Sequence, residues 1–131
     1  MTAATPFLMF QRGAGREALD FYLSVFADGE VLELDTYPAG GPAPEGSIMR
    51  GRFRIAGQEF FISDSFIEHE FDFTPSLSVW LEADSADAQE ALTNALGEGG
   101  ATLMPLDNYG FSSSFAWVND RFGVSWQINL A

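Results

Sequence analysis

The sequence predicts an α+β fold built from two modules, each with the element order β-α-β-β-β. Two observations support this prediction. Apolar residues recur with helical spacing once in each half of the chain, and apolar runs of strand length surround both helices. The segments come in the same order in the two halves. We therefore predict a single domain, residues 1–131, with module one at about residues 5–65 and module two at about 74–131.

Module one begins with the predicted strand TPFLMFQ. A helix follows from Gly15 to about Asp28, because five apolar side chains recur at the spacing of a helix packed on a core. These side chains are Ala18, Phe21, Tyr22, Val25 and Phe26. Three further strands are predicted, EVLELDTY, IMRGRFRI and QEFFISDS, joined by a Pro/Gly loop and a tight Ala56-Gly57 turn.

Module two repeats this order. PSLSVWLEA reads as a strand, and Asp84 or Ser85 can cap a helix that runs through ADAQEALTNAL. Its predicted apolar face is formed by Ala88, Leu92 and Ala95, and glycines from Gly97 onward end it. The strands ATLMPL, SSSFAWVN and GVSWQINL complete the module.

A glycine pattern precedes the first helix. Gly13-Ala-Gly15-Arg-Glu-Ala18 matches the G-x-G-x-x-A of dinucleotide-binding turns, and Asp35 closes the next strand as an acidic residue would there. A dinucleotide fold, however, needs strands that alternate with helices, whereas here strand follows strand. We therefore predict a plain strand-to-helix connection, in which Gly15 serves backbone conformation or close packing.

Composition excludes several classes of function. The chain has 19 acidic residues against six basic ones, and its net charge of −13 repels phosphate backbones and anionic membrane surfaces. We expect no nucleic-acid partner and no membrane partner. The absence of long apolar runs and of a signal-like N-terminus leads us to expect a cytoplasmic protein. Zero cysteines exclude disulfides and thiolate metal sites.

Several long segments resemble the vicinal oxygen chelate superfamily, which includes glyoxalases, bleomycin-resistance proteins and dioxygenases. They are TPFLMF, EALDFYLSVF, FISDS, FTPSLSVWLEADS and LMPLDNYGFSSSFAWVNDRFGVSWQINL. They are most similar to the PhnB-like branch, often labelled a 3-demethylubiquinone-9 3-methyltransferase domain. The resemblance implies a glyoxalase-like fold in which curved mixed sheets surround a pocket. Methyl transfer would require a nucleoside-cofactor site that the sequence does not offer, so we treat that label as a name only.

The resemblance also indicates where metal ligands would lie. Enzymatic relatives hold a divalent metal with His and Glu side chains; here the matching positions are Phe7, Asp64, Ser76 (with Ser78 two residues along) and Gln127. Asp64 is the only anion among them, and no imidazole is present. We therefore predict no metal centre and no cofactor. If a divalent metal is bound, Asp64 and Gln127 are its expected ligands.

The last predicted strand alternates polar and apolar residues. Ser125, Gln127 and Asn129 share one face, and we expect this face to point into the concave side of the sheet. The full set of predicted ligand-pocket residues is Phe7, Met9, Asp64, Ser76, Ser78, Trp80, Ser125 and Gln127. No catalytic residue is assigned.

Two further features have alternative interpretations. Arg50, Arg52 and Arg54 alternate on one strand, and they could clamp an anionic substrate or pair with carboxylates across the sheet; we favour pairing. His69 is the single imidazole, and we expect it to be an exposed linker residue.

These observations predict a small-molecule-binding PhnB-like protein whose catalysis is unassigned. One alternative is a metal-dependent enzyme of the glyoxalase or dioxygenase type. Another is a drug-sequestering protein of the bleomycin-resistance kind, whose acidic surface would suit cationic drugs. The resemblance further implies a symmetric homodimer.

Overall fold

The computed structural model describes all 131 residues, which divide into two compact units, Met1–Glu70 and Phe71–Ala131. The first unit contains β1 (Phe7–Phe10), α1 (Gly15–Val25), β2 (Glu30–Thr36), β3 (Ile48–Ile55) and β4 (Gln58–Asp64). The second unit contains β5 (Ser78–Glu82), α2 (Ala86–Gly97), β6 (Ala101–Asp107), β7 (Ser114–Asn119) and β8 (Ser125–Leu130). The predicted α+β class and the twofold β-α-β-β-β order are confirmed.

Each unit forms a four-stranded mixed sheet. The strand order is β1-β4-β3-β2 in the first unit and β5-β8-β7-β6 in the second. The first strand of each unit runs parallel to the last, and the remaining neighbours are antiparallel. No helix connects the three consecutive strands that follow each helix, so the alternating topology of a dinucleotide-binding sheet is absent.

The core of the first unit lies between α1 and one face of its sheet. Tyr22 of α1 stacks on Phe53, and Phe53 stacks on Phe60, with ring centroids 6.2 and 5.4 Å apart. All three rings are buried, and burying each contributes about 2–3 kcal/mol. Side chains alternate along a strand, so Asp64 lies on the same face of β4 as the buried Phe60 and Ile62, the face that packs against α1.

The second unit is built in the same way, with α2 covering β7 and β8. Leu96, Trp126 and Ile128 are fully buried on this side. The predicted helix face is shifted, however: Ala88, Leu92 and Ala95 are only half-buried. Gln89 is buried instead, and its Nε2 donates a hydrogen bond to the backbone oxygen of Ile128 at 3.2 Å.

The two helices are short, with 11 residues in α1 and 12 in α2. Neither has the length and apolar character that a membrane-spanning helix needs.

Candidate functional site

The N-terminus of α1 is closed by a carboxylate from β4. The backbone N–H of Gly15 donates to Asp64 Oδ1 at 2.7 Å, and that of Ile48 donates to Oδ2 at 2.8 Å. A negative charge at this end is stabilised by the helix dipole. A Cβ on Gly15 would lie only 2.6 Å from Asp64 Oδ1, so the glycine makes room for the carboxylate. The helix end where a dinucleotide would place its pyrophosphate is thus occupied by the protein's own side chain.

This contact corrects the expected position of Asp64. Phe7 and Met9 lie beside Phe61 and Ser63, on the sheet face that α1 does not cover. Asp64 points to the opposite face and is 2% exposed. The structure therefore does not bring Asp64 together with Phe7 and Met9, and both of its oxygens already accept hydrogen bonds.

The uncovered face of the first unit contains the arginine stripe. Arg52 Nη1 lies 2.8 Å from Glu59 Oε1, and Arg54 Nη1 lies 2.7 Å from Glu30 Oε1. The favoured interpretation, pairing across the sheet, is confirmed for these two residues. Arg50 differs, because its guanidinium carbon lies 5.0 Å above the ring of Phe61. Surface ion pairs such as Arg52–Glu59 and Arg54–Glu30 typically contribute less than about 1 kcal/mol each.

His69 is not the exposed linker residue that the sequence suggested. It is half-buried, and its Nε2 lies 3.1 Å from Ser65 Oγ. Its backbone N–H donates to the side chain of Gln11, which is itself buried. These contacts give His69 a structural position within the first unit.

In the second unit, the side chains that face away from α2 form cross-strand rows. Trp126 and Ile128 face α2, so the alternating residues of β8 face the other way. The paired residues of β5, β8 and β7 make three rows: Ser78–Ser125–Asn119, Trp80–Gln127–Trp117 and Glu82–Asn129–Phe115.

The first row contains a hydroxyl network. Ser78 Oγ lies 2.8 Å from Ser125 Oγ, which also accepts a hydrogen bond from Trp117 Nε1 at 2.7 Å. The structure therefore brings Ser78 and Ser125 together, and it buries Ser125. Ser76 does not join them, since β5 begins only at Ser78. Ser76 is exposed and lies 2.7 Å from Thr74 in the preceding segment, contrary to the expected strand position.

The same side of the sheet carries an aromatic cluster, which we call the aromatic face. It consists of Trp80, Tyr109, Phe111 and Phe115. Phe115 is 3% exposed and lies at the centre, with the other three rings at centroid distances of 5.7, 6.1 and 5.0 Å. Trp80 and Phe111 remain 49% and 58% exposed. Of these four residues, only Trp80 was predicted. Tyr109 and Phe111 lie in the turn DNYGF, where two aromatic residues are an unusual composition, and Phe115 follows in β7.

Two polar side chains adjoin the aromatic face. Gln127, next to Trp80 in its row, is half-buried and has no hydrogen-bond partner. Glu82 accepts hydrogen bonds from Trp80 Nε1 at 2.8 Å and from Asn129 Nδ2 at 3.0 Å. These bonds, first from Trp80 and then from Asn129, hold the pKa of the Glu82 carboxyl below its usual range.

The residues at the expected metal positions do not fit a divalent metal. Phe7 has no donor atom, Asp64 is engaged by backbone N–H groups, and Ser76 lies outside the strand. Nowhere does the structure assemble three or more His, Cys, Asp or Glu side chains that could hold a metal ion.

Two β-α-β-β-β units, each with a four-stranded mixed sheet and one helix, define a glyoxalase-like protein of the vicinal oxygen chelate superfamily. The family described as 3-demethylubiquinone-9 3-methyltransferase matches residues 2–129. The chain therefore belongs to this PhnB-like family.

Solved structures agree with this assignment. A putative 3-demethylubiquinone-9 3-methyltransferase, PhnB protein, from Bacillus cereus is 40% identical, covering 99% of this chain and all of its own, with a TM-score of 0.94. Protein PA1353 from Pseudomonas aeruginosa is 30% identical over 99% of this chain and 98% of its own, with a TM-score of 0.82. The fosfomycin resistance protein FosX from Listeria monocytogenes shares the fold alone, at 11% identity over 100% of this chain and 93% of its own, with a TM-score of 0.65.

Proposed function

We propose that this protein binds a small, partly apolar molecule on the aromatic face of the second unit. The observation that supports the proposal most directly is the exposure of three aromatic rings around the buried Phe115. Contact between these aromatic rings and water is unfavourable, so a bound apolar ligand that covers the rings would gain free energy from their burial. Gln127 offers an unpaired amide to orient that ligand, as polar groups do in small-molecule sites.

The proposed binding needs no metal centre. FosX has also been crystallised, as a mutant, with manganese(II) and a dihydroxypropylphosphonic acid. The donor set described above does not support an equivalent centre here, so a metal-dependent glyoxalase or dioxygenase activity is not favoured. No side chain on the aromatic face forms a nucleophile–base pair, and catalysis stays unassigned.

The uncharged fluorescent dye N-phenyl-1-naphthylamine tests this proposal. We expect saturable binding in buffer that contains EDTA. Phe111→Ala should weaken it roughly tenfold, because the variant removes part of the apolar surface that the dye covers. Phe66→Ala is the matched control, since Phe66 is an exposed ring of the first unit.

Three results would contradict the proposal. Non-saturable fluorescence, or equal affinity in the native protein and Phe111→Ala, would remove the aromatic face as the site. If EDTA abolished dye binding and manganese or zinc restored it, the proposal that binding needs no metal centre would be overturned.

We also propose that the chain forms a symmetric homodimer. Each sheet ends in open edges, at β1 and β2 in one unit and at β5 and β6 in the other. Association can cover such edges and exposed apolar side chains together. Sedimentation at micromolar concentration should give about twice the chain mass of 14.3 kDa. A single species at the chain mass would contradict the dimer.

A further inference from the structure

Glu82 is a carboxylate held in place beside the aromatic face. It accepts N–H donors from Trp80 and from Asn129, and Asn129 lies opposite Phe115 in the same cross-strand row. Two neutral donors fix its orientation while its charge remains. Trp80 therefore connects the two features, because its ring packs on Phe115 and its N–H holds the carboxylate.

No cation in the chain neutralises this carboxylate. Glu82 is exposed and takes part in no ion pair. The uncovered face of the first unit differs, since Glu30, Glu33 and Glu59 each pair with an arginine there. Asp107, at the other end of the row that contains Glu82 and Phe115, also has no ion-pair partner. The aromatic face is thus flanked on both sides by anionic groups without cations.

We infer that the aromatic face selects an organic cation, such as an alkylammonium group, and that Glu82 is its anionic partner. The inference rests on the proposed function and names the ligand class of the same site. Aromatic ring faces attract cations through their quadrupoles, and ring surfaces cover the alkyl groups around the charged nitrogen. The Glu82 carboxylate, held at the edge of the cluster, would add electrostatic attraction for the cation. Because its orientation is already fixed, binding would lose little side-chain entropy.

Choline and 3,3-dimethyl-1-butanol provide a direct test, because they have nearly the same shape and differ in charge. Each is titrated into native protein that contains bound N-phenyl-1-naphthylamine, and displacement of the dye gives the two affinities. We expect choline to bind at least fivefold more tightly than the alcohol. In Glu82→Gln, which keeps an acceptor for Trp80 Nε1, this ratio should fall to less than twofold.

Glu90→Gln is the matched control. It removes the same charge from α2, on the other side of the sheet, so it should retain the fivefold preference. Equal binding of choline and the alcohol to native protein would overturn the inference, while the dye titration would still support the proposed function. A preference that survives in Glu82→Gln would show that Glu82 is not the anionic partner. A preference that Glu90→Gln also abolishes would show that net charge rather than Glu82 attracts the cation. If the dye does not bind at all, both proposals fail.

Discussion

Each unit contains a buried aspartate that accepts backbone hydrogen bonds, but the donors come from different distances along the chain. Asp64 in the first unit bonds to Gly15 and Ile48, which lie 49 and 16 residues away. Asp120 in the second unit bonds to the N–H groups of Phe122 and Val124 and to Trp126 Nε1, all within six residues. One aspartate therefore joins distant elements, whereas the other organises a single turn.

The helix N-termini differ in the same way. Ala14 at the start of α1 provides no side-chain cap, and the distant Asp64 carboxylate takes that role. At the start of α2, Ser85 accepts a hydrogen bond from the N–H of Ala88, three residues on. Two units of equal topology thus stabilise equivalent helices by a tertiary contact in one case and a local contact in the other.

Asp64→Ala should have the largest effect on stability. It leaves the N–H groups of Gly15 and Ile48 buried without an acceptor, which costs about 3–4 kcal/mol in the free energy of unfolding. Ser85→Ala removes the equivalent cap of α2, where the freed N–H can reach water, and should cost about 1 kcal/mol. Urea unfolding of both variants measures the difference. Equal losses would show that the tertiary cap contributes no more than the local one.

Gly15→Ala should have the next largest effect. The new Cβ would meet the Asp64 carboxylate at 2.6 Å, and displacing either group should cost about 2 kcal/mol. Gly97→Ala in α2 is the matched control. The new Cβ would lie 3.5 Å from Val118, which is an ordinary contact. Because alanine has a higher helix propensity than glycine, the free energy of unfolding should stay unchanged or rise by up to about 1 kcal/mol.

The same pair of variants tests the glycine pattern. Nucleotide titrations should show no tight binding of NAD or ATP to the native protein or to either variant. Tight binding by the native protein that Gly15→Ala abolishes would restore the dinucleotide interpretation of the turn.

The fold could be predicted because its signals are local. Strand alternation, helical spacing and turn residues each depend on a few neighbouring positions, and the order of elements followed from them. The burial of Asp64 could also have been predicted from the sequence. Phe60 and Ile62 are core residues of β4, so strict alternation puts Asp64 on the same, buried face. The resemblance to metal-binding relatives instead predicted that Asp64 lines the pocket.

Other features of the second unit depend on tertiary contacts that the sequence does not display. The burial of Gln89 could not be predicted from its polarity, because its acceptor is a backbone oxygen 39 residues away. Phe111 and Phe115 belong to different segments, a turn and a strand, and only the fold places their rings together. Alternation groups Ser78 with Trp80 and Ser125 with Gln127, and the resemblance indicated Ser78 and Gln127 as pocket positions. The pairing of β5 with β8 then places all four on one side of the sheet.

The distant cap of α1 has a consequence for the order of events during protein synthesis. Gly15 leaves the ribosome 49 residues before Asp64. The N-terminus of α1 therefore has no side-chain acceptor for its Gly15 N–H until β4 has been synthesised. The second helix has its cap, Ser85, from the moment its first turn is made. Since contacts between distant residues form late, the nascent first half keeps an unfinished helix until its last strand arrives, while the second half can complete its helix at once.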